Sequence, residues 1–349
     1  MMLQNLTNMT SVREFHSAEN VLLLFLYTFI LVVGFIGNSL VVCFFGFKTK
    51  YRKLFHHYLL HLAFADMIAS VVTSTHYLYN TATMNKWILG TELCKTLSSL
   101  GPVTVNVSAW IITSIAIERH RGINKPFQKR LGKYSIHFIM ICIWTLSFLL
   151  LIPYIKSMVV HYGQCMPVWK NEVYEFVYSI VTLTIQSIIP FCMMLTIFAG
   201  IKKTVKNGKT LSVHYKVPLF KKQNESKLAR NLSTKSCIAK QNRDKKLLQM
   251  LSAAFVVFIL CSLPYNLFYT ISIYVVRIQQ KKVDMKILFK ANVWLSSIVV
   301  MNSCMNFFIY AGLDKNFMNY CKSFLLRKQE NRERIDTGTS RLTDEHTRY

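Results

Sequence analysis

The chain has 349 residues, of which 52% are hydrophobic and only 17% are charged, and its mean hydropathy is +0.30. Soluble domains carry about 25% charged residues, so the composition excludes an ordinary soluble protein. The net charge of +26 could indicate a nucleic-acid partner, but the basic residues lie between apolar blocks, as in the loops of membrane proteins. We expect a membrane protein with no nucleic-acid partner.

Seven apolar blocks are each long enough to cross a bilayer, which takes about 20 residues. They predict an all-α membrane protein, a seven-transmembrane helix bundle within residues 21–326. With short helical extensions, the predicted helices are 21–47, 58–80, 92–122, 136–160, 174–203, 244–276 and 287–311. The third block is the most polar, so we expect its helix inside the bundle. Residues 1–20 lack signal-peptide features, so the first helix is expected to direct insertion.

The orientation follows from the positive-inside rule. The loops after the first, third and fifth blocks are rich in Lys and Arg, so they are predicted to be cytoplasmic, and the longest of them, 204–243, is predicted to be mobile. The 1–20 tail is then extracellular, in agreement with glycosylation sequons at Asn5 and Asn8. One loop that is predicted to be extracellular departs from the positive-inside rule, because it is also basic. It contains Arg277, Lys281, Lys282 and Lys286.

Residues 314–326 have the pattern of an amphipathic helix on the inner leaflet. Phe317, Tyr320, Cys321 and Phe324 fall at helical spacing on one face. Cys321 is a palmitoylation candidate, and the alternative is an unmodified buried thiol. The charged tail 327–349 is predicted to be disordered in the cytoplasm.

Asp66 is the most informative residue, because an acid in the middle of a membrane helix costs several kcal/mol unless it is paired. The sequence offers polar partners in three other blocks. They are Asn38, Ser108, Asn302, Ser303 and Asn306.

The nine cysteines are spread singly, without a zinc or redox pattern. Cys94 and Cys165 fall on the predicted outer side. Because that side is oxidising, we predict that they form a disulfide.

Motifs in every block, in order, resemble those of rhodopsin-like (class A) G protein-coupled receptors over about residues 20–326. They are Gly37-Asn38, Leu62 with Asp66, Cys94, Glu118-Arg119-His120, Trp144, Pro190, Cys261-Ser262-Leu263-Pro264 and Asn302 to Tyr310. The resemblance implies a plasma-membrane receptor, not an enzyme. It would pass an extracellular signal to heterotrimeric G proteins through movement of the sixth and seventh helices.

The same resemblance assigns the G protein-facing end. Cys94 and Arg119 are separated by about 37 Å along a helix, so the third helix runs from the outer side to the cytosol. Arg119 and Asp244 are expected to form the inactive-state lock, and the alternative is ordinary charges at the membrane edge. The switch residues are Glu118, Arg119, His120, Pro126, Asp244 and Tyr310.

Family members hold a sodium ion beside the acid that corresponds to Asp66. Its hard oxygen ligands here would come from Asp66, Asn38, Ser108, Asn302, Ser303 and Asn306. The alternative is a water-filled hydrogen-bond network without a cation. No other cofactor is expected.

Three positions depart from the family pattern. Ser262 replaces a tryptophan, Phe307 replaces a proline, and Phe198 replaces a tyrosine. These changes put ordinary activation in question. They leave open a receptor-like protein that scavenges ligand, or partners other receptors, with weak G protein coupling.

Two positions of the predicted pocket exclude particular classes of ligand. Gly101 stands where amine receptors carry an aspartate, and Val300 where opsins carry the retinal lysine. A neutral pocket under a basic outer loop favours a peptide with an acidic or amidated end over a lipid. The predicted pocket residues, each of which could instead join helices, are His76, Asn106, Gln186, Tyr265, Asn266, Tyr269, Asn292 and Ser296.

The sequence argues against two other classes of membrane protein. A small-solute transporter predicts inverted repeats or broken helices in matching halves, and the sequence has neither. A membrane enzyme needs a second polar cluster beside His56, His57 and His61. We interpret those three histidines as a basic patch at the membrane edge.

Overall fold

The computed structural model describes residues 17–48, 54–124, 131–206, 227–324 and 326. Asn5, Asn8, Pro126 and the tail 327–349 lie outside the described residues, as does most of the predicted 204–243 loop. Asp244 lies in a described helix, but its side chain is outside what the structure describes.

Seven helices are long and apolar enough to cross a membrane, as predicted. We call them spans 1 to 7. In order, they are Ala18–Phe47, Phe55–Ala82, Gly90–Gly122, Lys133–Ser157, Glu172–Ile201, Gln249–Ile278 and Met285–Leu313.

Spans 2 and 5 are each interrupted by a wider π-helical turn, and two further such turns end spans 1 and 6. The α-helical pieces are Ser17–Cys43, Leu54–Ile68, Ser74–Ala82, Gly90–Asn124, Lys133–Ser157, Glu172–Leu183, Ile189–Lys206, Lys227–Ile273 and Met285–Leu313. The π-turns are Phe44–Lys48, Ala69–Thr73, Thr184–Ile188 and Tyr274–Ile278. The turn Thr184–Ile188 comes just before Pro190, which has no N–H for the α-helical ladder.

Span 3 is the centre of the bundle, because it packs against spans 2, 4, 5 and 6. Val107, Ile111 and Ile115 on this span are almost completely buried. This agrees with the prediction that the most polar span lies inside, where Thr104, Ser108 and Thr113 are also buried.

A two-stranded antiparallel hairpin follows span 4. Its strands are Met158–His161 and Gln164–Pro167, and Val160 pairs with Cys165. The Cys94–Cys165 disulfide joins it to the start of span 3, with the two Cα atoms 5.6 Å apart. The disulfide prediction is confirmed.

After span 7, residues 315–324 form a helix that begins beyond Asp314, whose Oδ1 accepts a hydrogen bond from the N–H of Asn316 at 2.9 Å. Phe317 is fully buried against Phe44 and Phe45. Burial also raises the pKa of the Cys321 thiol. The palmitoylation of Cys321 stays a prediction.

Several predicted boundaries need correction. The first two helices begin at Ser17 and Leu54, four residues before the predicted 21 and 58. The sixth helix begins at Lys227 rather than about 244, so the end of the predicted 204–243 loop is helical. Span 4 ends at Ser157 rather than 160, because the chain enters the hairpin there. The third helix is longer than predicted, at Gly90–Asn124.

Gly37 lets span 1 touch span 7. A Cβ at Gly37 would lie 2.6 Å from Cγ of Phe307, the residue that replaces the family proline. Two carbon atoms that are not bonded cannot lie that close together. A larger residue at Gly37 must therefore push the two helices apart.

We expect Gly37→Ala to lower the free energy of unfolding by about 1–3 kcal/mol through overpacking. Thermal unfolding of the purified protein in detergent measures the change. Gly122→Ala is the matched control, since a Cβ there meets nothing within 4 Å. Adding Phe307→Ala should reduce the penalty of Gly37→Ala, and equal melting temperatures for Gly37→Ala and Gly122→Ala would contradict the packing argument.

Cys94→Ser and Cys165→Ser should lower surface expression and melting temperature to the same extent, because either change breaks the same bond. The double variant should be no worse than either single variant. Cys192→Ser, which changes an exposed free cysteine, serves as the control. Additive losses in the double variant would show that the two cysteines act separately.

Candidate functional site

A cavity of about 310 Å³ lies between the spans beneath the hairpin. Its lining begins at Cys165 and Pro167 of the hairpin and ends at Asp66 and Asn302. The disulfide end of the bundle is therefore connected to the buried acid by one continuous space.

Asp66 forms the floor of this cavity and is only 2% exposed. Ser108 Oγ on span 3 donates to Oδ1 at 3.3 Å, and Asn306 Nδ2 on span 7 donates to Oδ2 at 2.7 Å. Both carboxylate oxygens are thus satisfied by other spans, which offsets part of the cost of burying the group.

Asn38 joins this network indirectly. Its Nδ2 donates to the carbonyls of Gly34 at 2.8 Å and Ser303 at 2.9 Å. Asn38 therefore fixes span 1 to span 7 beside Asp66 instead of bonding to the carboxylate. Asn302 and Ser303 line the cavity next to the acid.

Seven of the eight predicted pocket residues line the cavity. They are His76, Gln186, Tyr265, Asn266, Tyr269, Asn292 and Ser296. The exception is Asn106, whose Nδ2 donates to Ser147 Oγ at 2.8 Å. Asn106 is about 100° further around span 3 than the cavity-lining Val105, so it joins span 3 to span 4.

Sequence reasoning missed other lining residues. Thr73 lies in the π-turn Ala69–Thr73, and Tyr154 and Tyr178 lie at the hairpin ends of spans 4 and 5. The π-turn could not be foreseen, and it changes which residues of span 2 face inward. The tyrosine hydroxyls at the ends of apolar blocks were an available signal.

Two polar atoms of the lining residues have no hydrogen-bond partner among the described residues. They are Nδ1 of His76 and Oγ1 of Thr73. The His76 ring is held on its other side, where Nε2 lies 3.0 Å from Asn80 Nδ2. A buried polar atom without a partner costs about 1–3 kcal/mol, and a polar ligand in the cavity would recover part of that cost.

The cavity wall is neutral apart from its floor. Among the described lining residues, Asp66 is the only acid and none is Lys or Arg. Span 3 has Gly101 in the wall, and a Cβ there would lie 2.8 Å from Thr73 Oγ1. Spans 2 and 3 are too close at this point for an acidic side chain to enter without movement.

A charged pair at the hairpin end was not predicted. Glu175 is buried at the start of span 5. Its Oε2 lies 3.9 Å from Nε of Arg277 at the end of span 6. Exposed lysines surround the nearby loop. They are Lys281, Lys282 and Lys286.

The opposite end of span 3 carries Arg119. Its guanidinium carbon lies 4.7 Å from the centre of the Phe55 ring, a cation–π contact. His120 lies against span 5, since a Cβ at Gly200 would be 3.0 Å from His120 Nε2. Tyr310 is buried, with its ring edge-on to Phe45 at 6.3 Å.

The three unusual residues are each accommodated by local packing. Ser262 Oγ donates to the Phe258 carbonyl at 2.7 Å, so its polar group is satisfied within span 6. Phe307 packs on Gly37. The ring centres of Phe198 and Phe255 are 6.1 Å apart, an aromatic contact that joins spans 5 and 6.

Comparison with known proteins matches residues 37–310 to the 7 transmembrane receptor (rhodopsin family). The mouse gastrin/cholecystokinin type B receptor is 30% identical over 190 residues, which is 52% of this chain and 42% of that protein. The Drosophila melanogaster tachykinin-like peptides receptor 86C is 22% identical over 340 residues, which is 92% of this chain and 62% of that protein.

The pig neuropeptide Y receptor type 5 is 26% identical over 196 residues, 52% of this chain and 44% of that protein. Each of these matches covers less than two thirds of the relative's own length. The family match covers most of the chain, from Gly37 through Asp66 and Arg119 to Tyr310. The chain therefore belongs to the rhodopsin family of seven-transmembrane receptors.

Proposed function

We propose that the chain is a cell-surface receptor that binds a peptide in the cavity beneath the hairpin and activates a heterotrimeric G protein. The observation that carries the proposal is the cavity itself. It is lined by neutral polar and aromatic side chains and reaches Asp66. The relatives named above support a peptide ligand, because their names are those of peptide receptors.

The ligand chemistry follows from the charges around the cavity. The neutral wall suits a peptide end that carries no free charge, such as an amidated carboxyl end. The exposed Lys281, Lys282 and Lys286 suit acidic residues further along the peptide. In this arrangement the hairpin end faces outside and the Arg119 end faces the cytosol, in agreement with the positive-inside rule.

Signal transfer would use the contacts between cavity floor and opposite end. A ligand that moves span 7 changes the Asn306 bond to Asp66, and Tyr310 lies on the same span further along. Arg119, Glu118, His120 and Pro126 form the proposed G protein-facing set, with Asp244 as the resting partner of Arg119.

We expect amidated and acidic peptides to stimulate nucleotide exchange in at least one G protein class. Gln186→Ala and Tyr269→Ala should each lower potency by about tenfold or more, as for central contacts of an interface. Tyr134→Ala is the control, because Tyr134 is 85% exposed at the other end of the bundle. Potency is measured by nucleotide exchange in membranes.

Arg119→Ala separates binding from coupling. It should abolish exchange while peptide binding persists. For the unaltered receptor, peptide binding without exchange in any G protein class would instead support the ligand scavenger. No binding to the unaltered receptor across the panel would overturn the peptide proposal.

A sodium ion fits the cavity floor. The carboxylate of Asp66, the hydroxyls of Ser108 and Ser303 and the amide of Asn302 offer hard oxygen atoms there, which suit such a cation. A bound cation would balance the buried charge and so favour the state that encloses it.

We expect sodium chloride to raise the melting temperature of the purified receptor relative to equal choline chloride. Sodium at ten times its dissociation constant contributes about 1.4 kcal/mol. Asp66→Asn should remove the difference, while Asn106→Ala, which alters a buried amide outside the cavity, should keep it. The water-network alternative predicts equal melting temperatures in both salts for the unaltered receptor.

A further inference from the structure

Three of the ten histidines of the chain meet where spans 2 and 4 pack together at the Arg119 end, and a fourth, His56, lies beside them against Phe45 of span 1. His56, His57 and His61 lie in the first turns of span 2, and His137 lies in the second turn of span 4. The sequence alone suggested only a basic patch, because nothing in it placed His137 beside span 2.

The His57 and His61 rings both contact the His137 ring. His61 Nε2 lies 3.3 Å from His137 Nδ1. The His137 ring centre is 5.1 Å from that of His57 and 5.5 Å from that of His61. His57 and His61 are four residues apart, so they share one face of span 2, and His137 faces that face from span 4.

The distances between His61 and His137 match one edge of a tetrahedral metal site. Two nitrogens on one Zn²⁺, each about 2.0–2.1 Å from the ion, are about 3.3–3.4 Å apart. The centre of an imidazole lies about 1.2 Å behind its nitrogen, so two ring centres on the same ion are about 5.2 Å apart. The observed nitrogen pair and the His61–His137 ring spacing agree with this geometry, whereas the His57 ring meets the His137 ring edge-on.

We propose that His57, His61 and His137 form a binding site for a divalent transition metal, with Zn²⁺ as the best fit. Imidazole nitrogens suit zinc, copper and nickel rather than magnesium or calcium. Three histidines leave a fourth position for water.

One ligand must turn for the site to form. As the side chains stand, no three His, Cys, Asp or Glu residues in the described ranges form a metal-binding group. His61 and His137 are already placed for one edge of the tetrahedron, so they would bind first. His57 would complete the site by a change of side-chain rotamer within its own turn of helix.

The consequence is a link between spans 2 and 4, close to the end that faces the proposed G protein. A metal there would fix the positions of two helices whose sequence separation is large. It would act at a distance from the cavity, because none of the three histidines lines it.

The test uses the full chain purified in detergent, with any polyhistidine tag removed. Zinc chloride is titrated while the melting temperature is recorded, and an excess of chelator reverses the effect. We expect a saturable rise for the unaltered protein. His61→Ala and His137→Ala should each weaken the apparent zinc affinity by at least about tenfold, because even outer partners of metal ligands have effects of that size.

His161→Ala is the matched control, since His161 lies in the hairpin at the other end of the bundle, and it should keep the full response. No saturable rise, or an equal response in all three variants, would overturn the proposal and leave only a hydrogen bond between His61 and His137.

A second measurement avoids variants that fail to fold. Diethyl pyrocarbonate modifies accessible imidazoles, and mass spectrometry locates the modified residues. Zinc should protect the partly exposed His61 and His137 but not His161. Unchanged labelling of His61 and His137 at saturating zinc would also overturn the site.

Discussion

The two hydrogen bonds to the Asp66 carboxylate are the interactions on which the bundle depends most. They come from Ser108 and Asn306, so a single acid holds spans 2, 3 and 7 at the same depth. In a bilayer core no water replaces a lost partner, which makes the pairing obligatory for this packing. Asn38 extends the arrangement to span 1 through the Ser303 carbonyl. Of these four spans, 2, 3 and 7 line the cavity above Asp66, whereas span 1 packs against spans 2 and 7 through Tyr27.

Among the described residues, the hairpin end of the bundle has a disulfide bond that the other end lacks. The Glu175–Arg277 pair and aromatic contacts such as Tyr79–Trp87 accompany it. At the other end the contacts are mainly aromatic, including Phe317 against Phe44 and Phe45. A covalent bond keeps its partners, whereas ring contacts can be exchanged for others of similar energy. The arrangement suits a protein whose hairpin end keeps its form while its Arg119 end rearranges.

The number of spans, the central place of span 3 and the Cys94–Cys165 disulfide could be predicted from the sequence. Each depends on a strong local signal, namely hydropathy, polarity within an apolar block, or the redox compartment. Seven cavity residues were foreseen, including Tyr265 and Tyr269 in regular helix and Gln186 within a π-turn. Asn106 could not be assigned, because a polar residue on span 3 faces either the cavity or span 4 with a rotation of about 100° between them. The contact of His61 with His137 was also out of reach, because two residues so far apart in sequence give no pairing signal.

The π-turn at Ala69–Thr73 has a consequence for comparing this receptor with others. It places one extra residue in a single turn, between Asp66 on one side and His76 on the other. Beyond the turn, every residue of span 2 is rotated relative to its place in an uninterrupted helix. Two receptors can therefore align without a gap at Asp66 and still present different residues to the ligand higher up. Position-by-position transfer of binding residues is sound on the Asp66 side of this turn. On the His76 side it is sound only between chains that share the extra residue.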